Sequence, residues 1–89
     1  MKTEYKYIHF RKIEQKPKTA VYQCINTNHD DLLGIVEWYP PWRQYCFAPE
    51  YRCVFNNGCL RDIINFIGQL DEERKKLRHE GPALKEGEG

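Results

Sequence analysis

Leu33-Gly-Ile-Val-Glu-Trp-Tyr-Pro-Pro-Trp-Arg-Gln-Tyr-Cys-Phe-Ala-Pro-Glu-Tyr-Arg-Cys-Val-Phe55 is the stretch whose reading decides the fold. These 23 residues hold both tryptophans, three of the six tyrosines and two of the four phenylalanines. On either side of Pro40-Pro41 apolar residues alternate with others, the period-two pattern of a strand whose successive side chains point to opposite faces. Two consecutive prolines fix two φ angles and withhold two ladder donors, so they stop a strand. The stretch therefore predicts two strands, Leu32 to Tyr39 and Gln44 to Ala48, joined by a stiff turn. Gly34 has no side chain to pack. It marks a bulge or a place where an aromatic of the neighbouring strand lies across the backbone, and the density of rings favours the second.

Upstream, Tyr5 to Glu14 mixes Tyr7, Ile8, Phe10 and Ile13 with His9, Arg11 and Lys12, a strand of imperfect alternation. Pro17 breaks it. Thr19 to Asn26 alternates cleanly, with Val21, Gln23 and Ile25 on one face and Ala20, Tyr22 and Cys24 on the other. Asn26-Thr27-Asn28-His29-Asp30-Asp31 is a run of residues that bond their own backbone and tolerate positive φ, which predicts a hairpin loop. His29, Asp30 and Asp31 form a solvated tip there rather than a metal or acid–base cluster, because no partner ligands lie nearby in the chain.

Downstream, Leu60, Ile63, Ile64, Ile67 and Leu70 recur at spacings of three and four, with Phe66 widening the stripe, so an amphipathic helix runs from about Gly58 to His79. Either Asn56 or Asn57 serves as its N-cap. The last turns keep helix-favouring residues and set Glu72 four before Lys76, but they lose the apolar face. Beyond Gly81-Pro82 the Lys, Glu and Gly composition predicts a disordered tail. The expected organisation is one domain over residues 1–80 and a tail over residues 81–89. Short links between consecutive strands give an α+β fold, an antiparallel β-meander of three to four strands packed on one C-terminal α-helix.

At 89 residues such a domain buries only about two thirds of its unfolded surface, so its core must be small and rich in rings. The candidates are Tyr22, Ile25, Ile35, Val36, Trp38, Tyr45, Phe47, Leu60, Ile63, Ile64, Phe66, Ile67 and Leu70. Fourteen Lys and Arg against 13 Asp and Glu remove the general electrostatic argument for nucleic acid or an anionic membrane. No run of apolar residues is long enough to span a bilayer or to serve as a signal peptide, which implies a reducing, cytoplasmic setting. Cys24, Cys46, Cys53 and Cys59 then read as structural thiols. They contain no Cys-x-x-Cys, and His9, His29 and His79 complete no usual ligand set, so no metal or cofactor is expected.

Catalysis needs a nucleophile with its base, paired carboxylates or a metal, and none is recognisably spaced. Trp42-Arg43, beside Trp38, Tyr39 and Tyr45, is the sharpest cluster. Trp, Tyr and Arg dominate interface hot spots, which points to a binding module for a protein partner. The contact residues expected are Trp42, Arg43, Tyr45 and Tyr51. The alternative is nucleic acid, with bases stacked on an aromatic sheet face and phosphates held by Lys12, Lys16, Lys18, Arg43 and Arg52.

The strand pair running from Gly34 to Pro49, followed ten residues later by Cys59-Leu-Arg-Asp-Ile-Ile-Asn-Phe66, resembles a group of short uncharacterised proteins of bacteriophages, prophages and mobile elements. These combine a Gly-x-x-x-Trp-Tyr-x-x-Trp-Arg-x-Tyr-x-Phe-x-Pro strand pair with a Cys-Leu-x-x-Ile-x-x-Phe helix. The resemblance spans roughly residues 5 to 70. It implies a mobile-element setting and a sheet-plus-helix fold, and it transfers no functional residue; Cys53 and the charged extension after Leu70 depart from the pattern.

Overall fold

A computed structural model describes residues 1–79 of the chain. The expected tail lies outside the described residues. The elements are β1 (Ile8–Gln15), β2 (Ala20–Asn26), β3 (Leu32–Tyr39), β4 (Gln44–Pro49) and α1 (Asn57–His79). The strands form one four-stranded sheet in the order β1-β2-β3-β4, each neighbour antiparallel to the last. The α+β meander with a C-terminal helix expected above is thus the observed fold.

β1 begins later than its composition suggests, because the first residues double back on it. Phe10 N–H donates to the Thr3 carbonyl at 2.9 Å, Tyr5 N–H to that of Ile8 at 2.9 Å, and Glu4 bridges His9. The imperfect alternation has a geometric cause. Register shifts between Lys12 and Glu14, leaving Ile13 as the extra residue of a bulge, exposed to solvent. Asn26 ties the β2–β3 loop to itself as expected: its side-chain oxygen accepts from the N–H groups of Asn28 at 2.9 Å and His29 at 3.0 Å. At the start of α1, Asn56 is the cap, accepting the Cys59 N–H on its side-chain oxygen at 2.9 Å.

The helix face of the sheet presents Ile8, Phe10, Ala20, Tyr22, Cys24, Val36 and Tyr45, and α1 lays Ile63, Phe66 and Leu70 against them. Phe66 is fully buried at the centre. Its ring stacks parallel on Phe10, centroids 4.0 Å apart, and meets Tyr22 edge-on at 4.8 Å. This corrects the expected stripe. Phe66, not the Leu60–Ile64 line, marks the inward face, and at about 100° per residue Leu60 and Ile64 then turn aside. They are 45% and 69% exposed, respectively. Ile35, Trp38, Phe47 and Ile67 are half-buried, whereas Ile8, Phe10, Ala20 and Cys24 join the core from outside the expected set. Val21 and Ile25 are buried on the reverse face, where β2 alternation puts them.

Gly34 behaves as the ring density implies. It shares a face with Phe47, and a Cβ built on it would sit 2.7 Å from both Phe47 Cε1 and the Ala48 carbonyl oxygen. The Phe47 ring, met edge-on by Phe55 at 5.3 Å, thus lies over bare backbone. A methyl group there must displace main chain. Gly34→Ala is therefore expected to cost about 2 kcal/mol, in the range for overpacking a core. In a domain this size that lowers the thermal midpoint by about 10 °C; an unchanged midpoint in a melting experiment would contradict the contact.

All four cysteines are free thiols. Cys24 is wholly enclosed, and burial, reinforced by the nearby Cys59 and Cys53, pushes its thiol up to about 12. Only the thiolate alkylates readily. Iodoacetamide at neutral pH is expected to label Cys46, Cys53 and Cys59 in the folded protein, and Cys24 only after denaturation. Mass spectrometry of the labelled peptides checks this, and equal labelling of Cys24 in the native state would contradict it.

Candidate functional site

The β3–β4 turn holds the exposed aromatic surface. Pro40 and Pro41 fix the chain direction, and the carbonyl of Tyr39 then accepts from both Trp42 N–H at 3.2 Å and Arg43 N–H at 2.9 Å. Arg43 adopts the left-handed conformation, φ 54°, that closes so tight a turn. The result is a rigid corner that throws Trp42 clear of the core. Its ring is 66% exposed and meets the 44%-exposed Tyr39 edge-on at 5.2 Å.

Strand alternation divides the aromatic cluster that the sequence places together. Trp38 and Tyr45 lie opposite one another on the helix face, rings edge-to-face at 5.6 Å, while Tyr39 falls on the reverse face beside Trp42. Tyr45 is consequently buried and is withdrawn from the expected contact set. Its hydroxyl accepts the Ala20 N–H at 3.1 Å, and burial raises its pKa above the usual tyrosine value. Satisfying a buried donor on β2 is a structural task. Tyr51 is 87% exposed, with the Arg52 guanidinium 5.5 Å from its ring centroid, but it stands at the other end of β4. Six strand residues, roughly 20 Å, separate it from Trp42. Of the four expected contact residues, only Trp42 and Arg43 come together. Tyr39 is the third member, and its parity with Ile35 and Glu37 was the signal that sets it apart from Trp38.

Two shallow clefts flank the helix at this end. One, about 370 Å³, runs between the turn and α1 and is bordered by Trp38, Arg43, Gln44, Gly68, Asp71 and Lys75 among others. Partial burial raises the Asp71 carboxyl, an effect that Lys75 opposes. The other, about 300 Å³, lies under the β1–β2 hairpin and brings Lys12, Lys18 and Arg74 around the Tyr22 and Tyr45 rings. Arg74 ties the two sides together. Its guanidinium lies 4.1 Å from the Trp38 ring centroid and reaches the Lys18 carbonyl at 3.5 Å. Cation–π contact of this kind holds a charged side chain flat on an aromatic face. Among the described residues no group of three or more His, Cys, Asp or Glu side chains is placed to hold a metal ion, and no helix is long and apolar enough to cross a membrane.

Among curated proteins the chain is similar to an uncharacterized 9.3 kDa protein of Acholeplasma phage L2. The two are 34% identical over 71 residues, a match covering 79% of this chain and 91% of the phage protein. No protein-family model and no solved structure matches. Identity at this level over nearly the whole of the phage protein means common descent, and this chain belongs to the same family of small phage-type proteins as the Acholeplasma phage L2 protein.

Proposed function

We propose that this protein is a non-enzymatic accessory module that binds a protein partner through the Tyr39–Trp42–Arg43 corner. The observation that carries this reading is the exposure of the Trp42 and Tyr39 rings, held against each other by backbone hydrogen bonds rather than by the core. Large rings immobilised before binding contribute contact area without a further ordering cost, and Trp, Tyr and Arg are the side chains whose truncation most often collapses an interface. Arg43 adds five donors in a planar fork beside them, suited to a carboxylate on the partner.

The nucleic-acid reading draws on a different observation: the β1–β2 hairpin, with Lys16 and Lys18, ends on the same side of the sheet as this corner. Basic groups beside stacked rings are what a single strand would need. The two readings separate by salt and by nuclease. Phosphate contacts lose affinity steeply as salt rises, whereas a ring-centred protein interface does not.

Trp42→Ala and Arg43→Ala are expected to leave the thermal midpoint close to that of the unaltered protein, because exposed positions contribute within about 0.5 kcal/mol. Affinity capture from nuclease-treated host lysate should retain a protein on the unaltered chain and lose it on Trp42→Ala. Truncating a hot-spot ring costs about 2 kcal/mol or more, so the loss should be complete at working concentration. Identical capture by both chains would overturn the protein reading. Binding of single-stranded oligonucleotides that vanishes in Trp42→Ala and weakens with salt would put nucleic acid in its place.

A further inference from the structure

The two edges of the sheet are unlike. β1 is covered along part of its outer side by the chain's own first residues, through the Phe10–Thr3 hydrogen bond and the Glu4–His9 bridge. The rest of β1 is interrupted by the Ile13 bulge and carries Arg11, Lys12 and Glu14. Charge, irregularity and cover are the devices that stop an edge from pairing further. Among the described residues β4 lacks all three over its middle. Its register with β3 has no shift, and Tyr45-Cys46-Phe47-Ala48 holds no charge.

Donation from Glu50 N–H to the Leu33 carbonyl, 2.8 Å, sets the phase of the β3–β4 ladder. Alternate residues Gln44, Cys46 and Ala48 bond β3, so Tyr45 and Phe47 turn their N–H and C=O groups outward. Among the described residues these outward groups have no backbone partner.

We infer that a second copy of this chain pairs on this edge, β4 against β4, antiparallel about a two-fold axis through Cys46. Antiparallel partners keep their faces only when a residue of one copy stands opposite the same residue of the other. With Cys46 at the axis, Tyr45 of each copy opposes Phe47 of the other, and every outward donor and acceptor of both residues is used. Centring on Phe47 instead sets Tyr45 against Pro49, which has no N–H to return. The Cys46 register also places Arg43 beside the second copy's Glu50, a pair of opposite charges at each end of the seam.

Exposed apolar surface of α1 falls on the same side. Among the strands α1 comes nearest β4, and Gly68 borders the cleft shared with Arg43 and Gln44. Relative to the inward face set by Ile63, Phe66 and Leu70, Leu60 turns to the flank of α1 toward β4, while Ile64, which borders a cleft with Lys2 and Tyr5, and Gly68 turn progressively away from the sheet. Leu60 and Ile64 are apolar and exposed. Among the described residues Gly68 has nothing within 4 Å of the position its Cβ would take. In the dimer the two copies of α1 lie antiparallel on one face of the continuous sheet, with the Leu60 flank of each turned toward the other. The seam also reunites what the monomer separates: Trp42 of one copy comes beside Glu50 and Tyr51 of the other, making a composite aromatic surface at each end.

The inference stands independently of the partner reading and is tested on the full chain alone. Sedimentation velocity from micromolar to millimolar concentration is expected to show a dimer. At a non-hydrogen-bonded cross-strand pair the two Cys46 Cα atoms lie about 4.5 Å apart, inside the disulfide range. Adding diamide, which takes two electrons and two protons from a thiol pair to become a hydrazine, should therefore give a covalent Cys46–Cys46 dimer. Cys46→Ser should keep the non-covalent dimer and lose the covalent one. Cys46→Lys, which opposes two ammonium groups on the axis at a half-exposed position, should give a monomer with unchanged circular dichroism. A chain that stays monomeric throughout, a covalent dimer formed through another cysteine, or a dimer undiminished in folded Cys46→Lys would each overturn the inference.

Discussion

The stacking of Phe66 on Phe10 is the contact on which the rest of this structure depends. A helix laid on a four-stranded sheet has many rotations open to it, and this pair removes the choice. With the rings parallel at 4.0 Å and Tyr22 closing on the edge of Phe66 at 4.8 Å, α1 can turn only Ile63, Phe66 and Leu70 downward. Burying a ring of this size contributes roughly 1.5–3 kcal/mol, and the aromatic pairing adds about 0.5–1.5 kcal/mol. That is a large part of the stability of so small a domain. The same rotation turns Leu60 and Ile64 away from the sheet and leaves them on the surface.

A second constraint, strand parity, decides what the aromatic segment can do. Because β3 alternates, Trp38 belongs to the helix face and Tyr39 to the reverse face. Trp38 is then covered by Arg74 and Tyr45, and its exposure is spent on packing. Tyr39 meets Trp42 across the Pro-Pro turn, and neither ring has a core to enter. One segment thus supplies both the wall of the core and an outward-facing surface. Its division falls between two adjacent residues.

Much of this was legible in the sequence, for physical reasons that differ by element. The β3–β4 pair was plain because a Pro-Pro stop between two alternating runs admits few other readings, and the packing of Phe47 over Gly34 followed from a glycine set among rings. The start of β1 was not legible. Whether Tyr5–Tyr7 continues a strand or folds back on it depends on the Thr3–Phe10 hydrogen bond, a long-range choice that local propensity does not encode. Nor was the face of α1, since Leu60, Ile64 and Phe66 are all strongly apolar and only the ring on β1 selects among them. Tyr45 illustrates the limit for the candidate site. Its neighbours in sequence mark it as a contact residue, yet the Ala20 N–H it satisfies lies 25 residues away.

A double-mutant cycle on Phe10 and Phe66 tests the account most directly. Unfolding free energies of Phe10→Leu, Phe66→Leu and the double variant would be measured in urea. If the stacked pair sets the helix on the sheet, the two losses should fail to add, with a coupling of about 1 kcal/mol or more, as for aromatic pairs in contact. Losses that add to within about 0.3–0.5 kcal/mol, the behaviour of distant and independent sites, would contradict it.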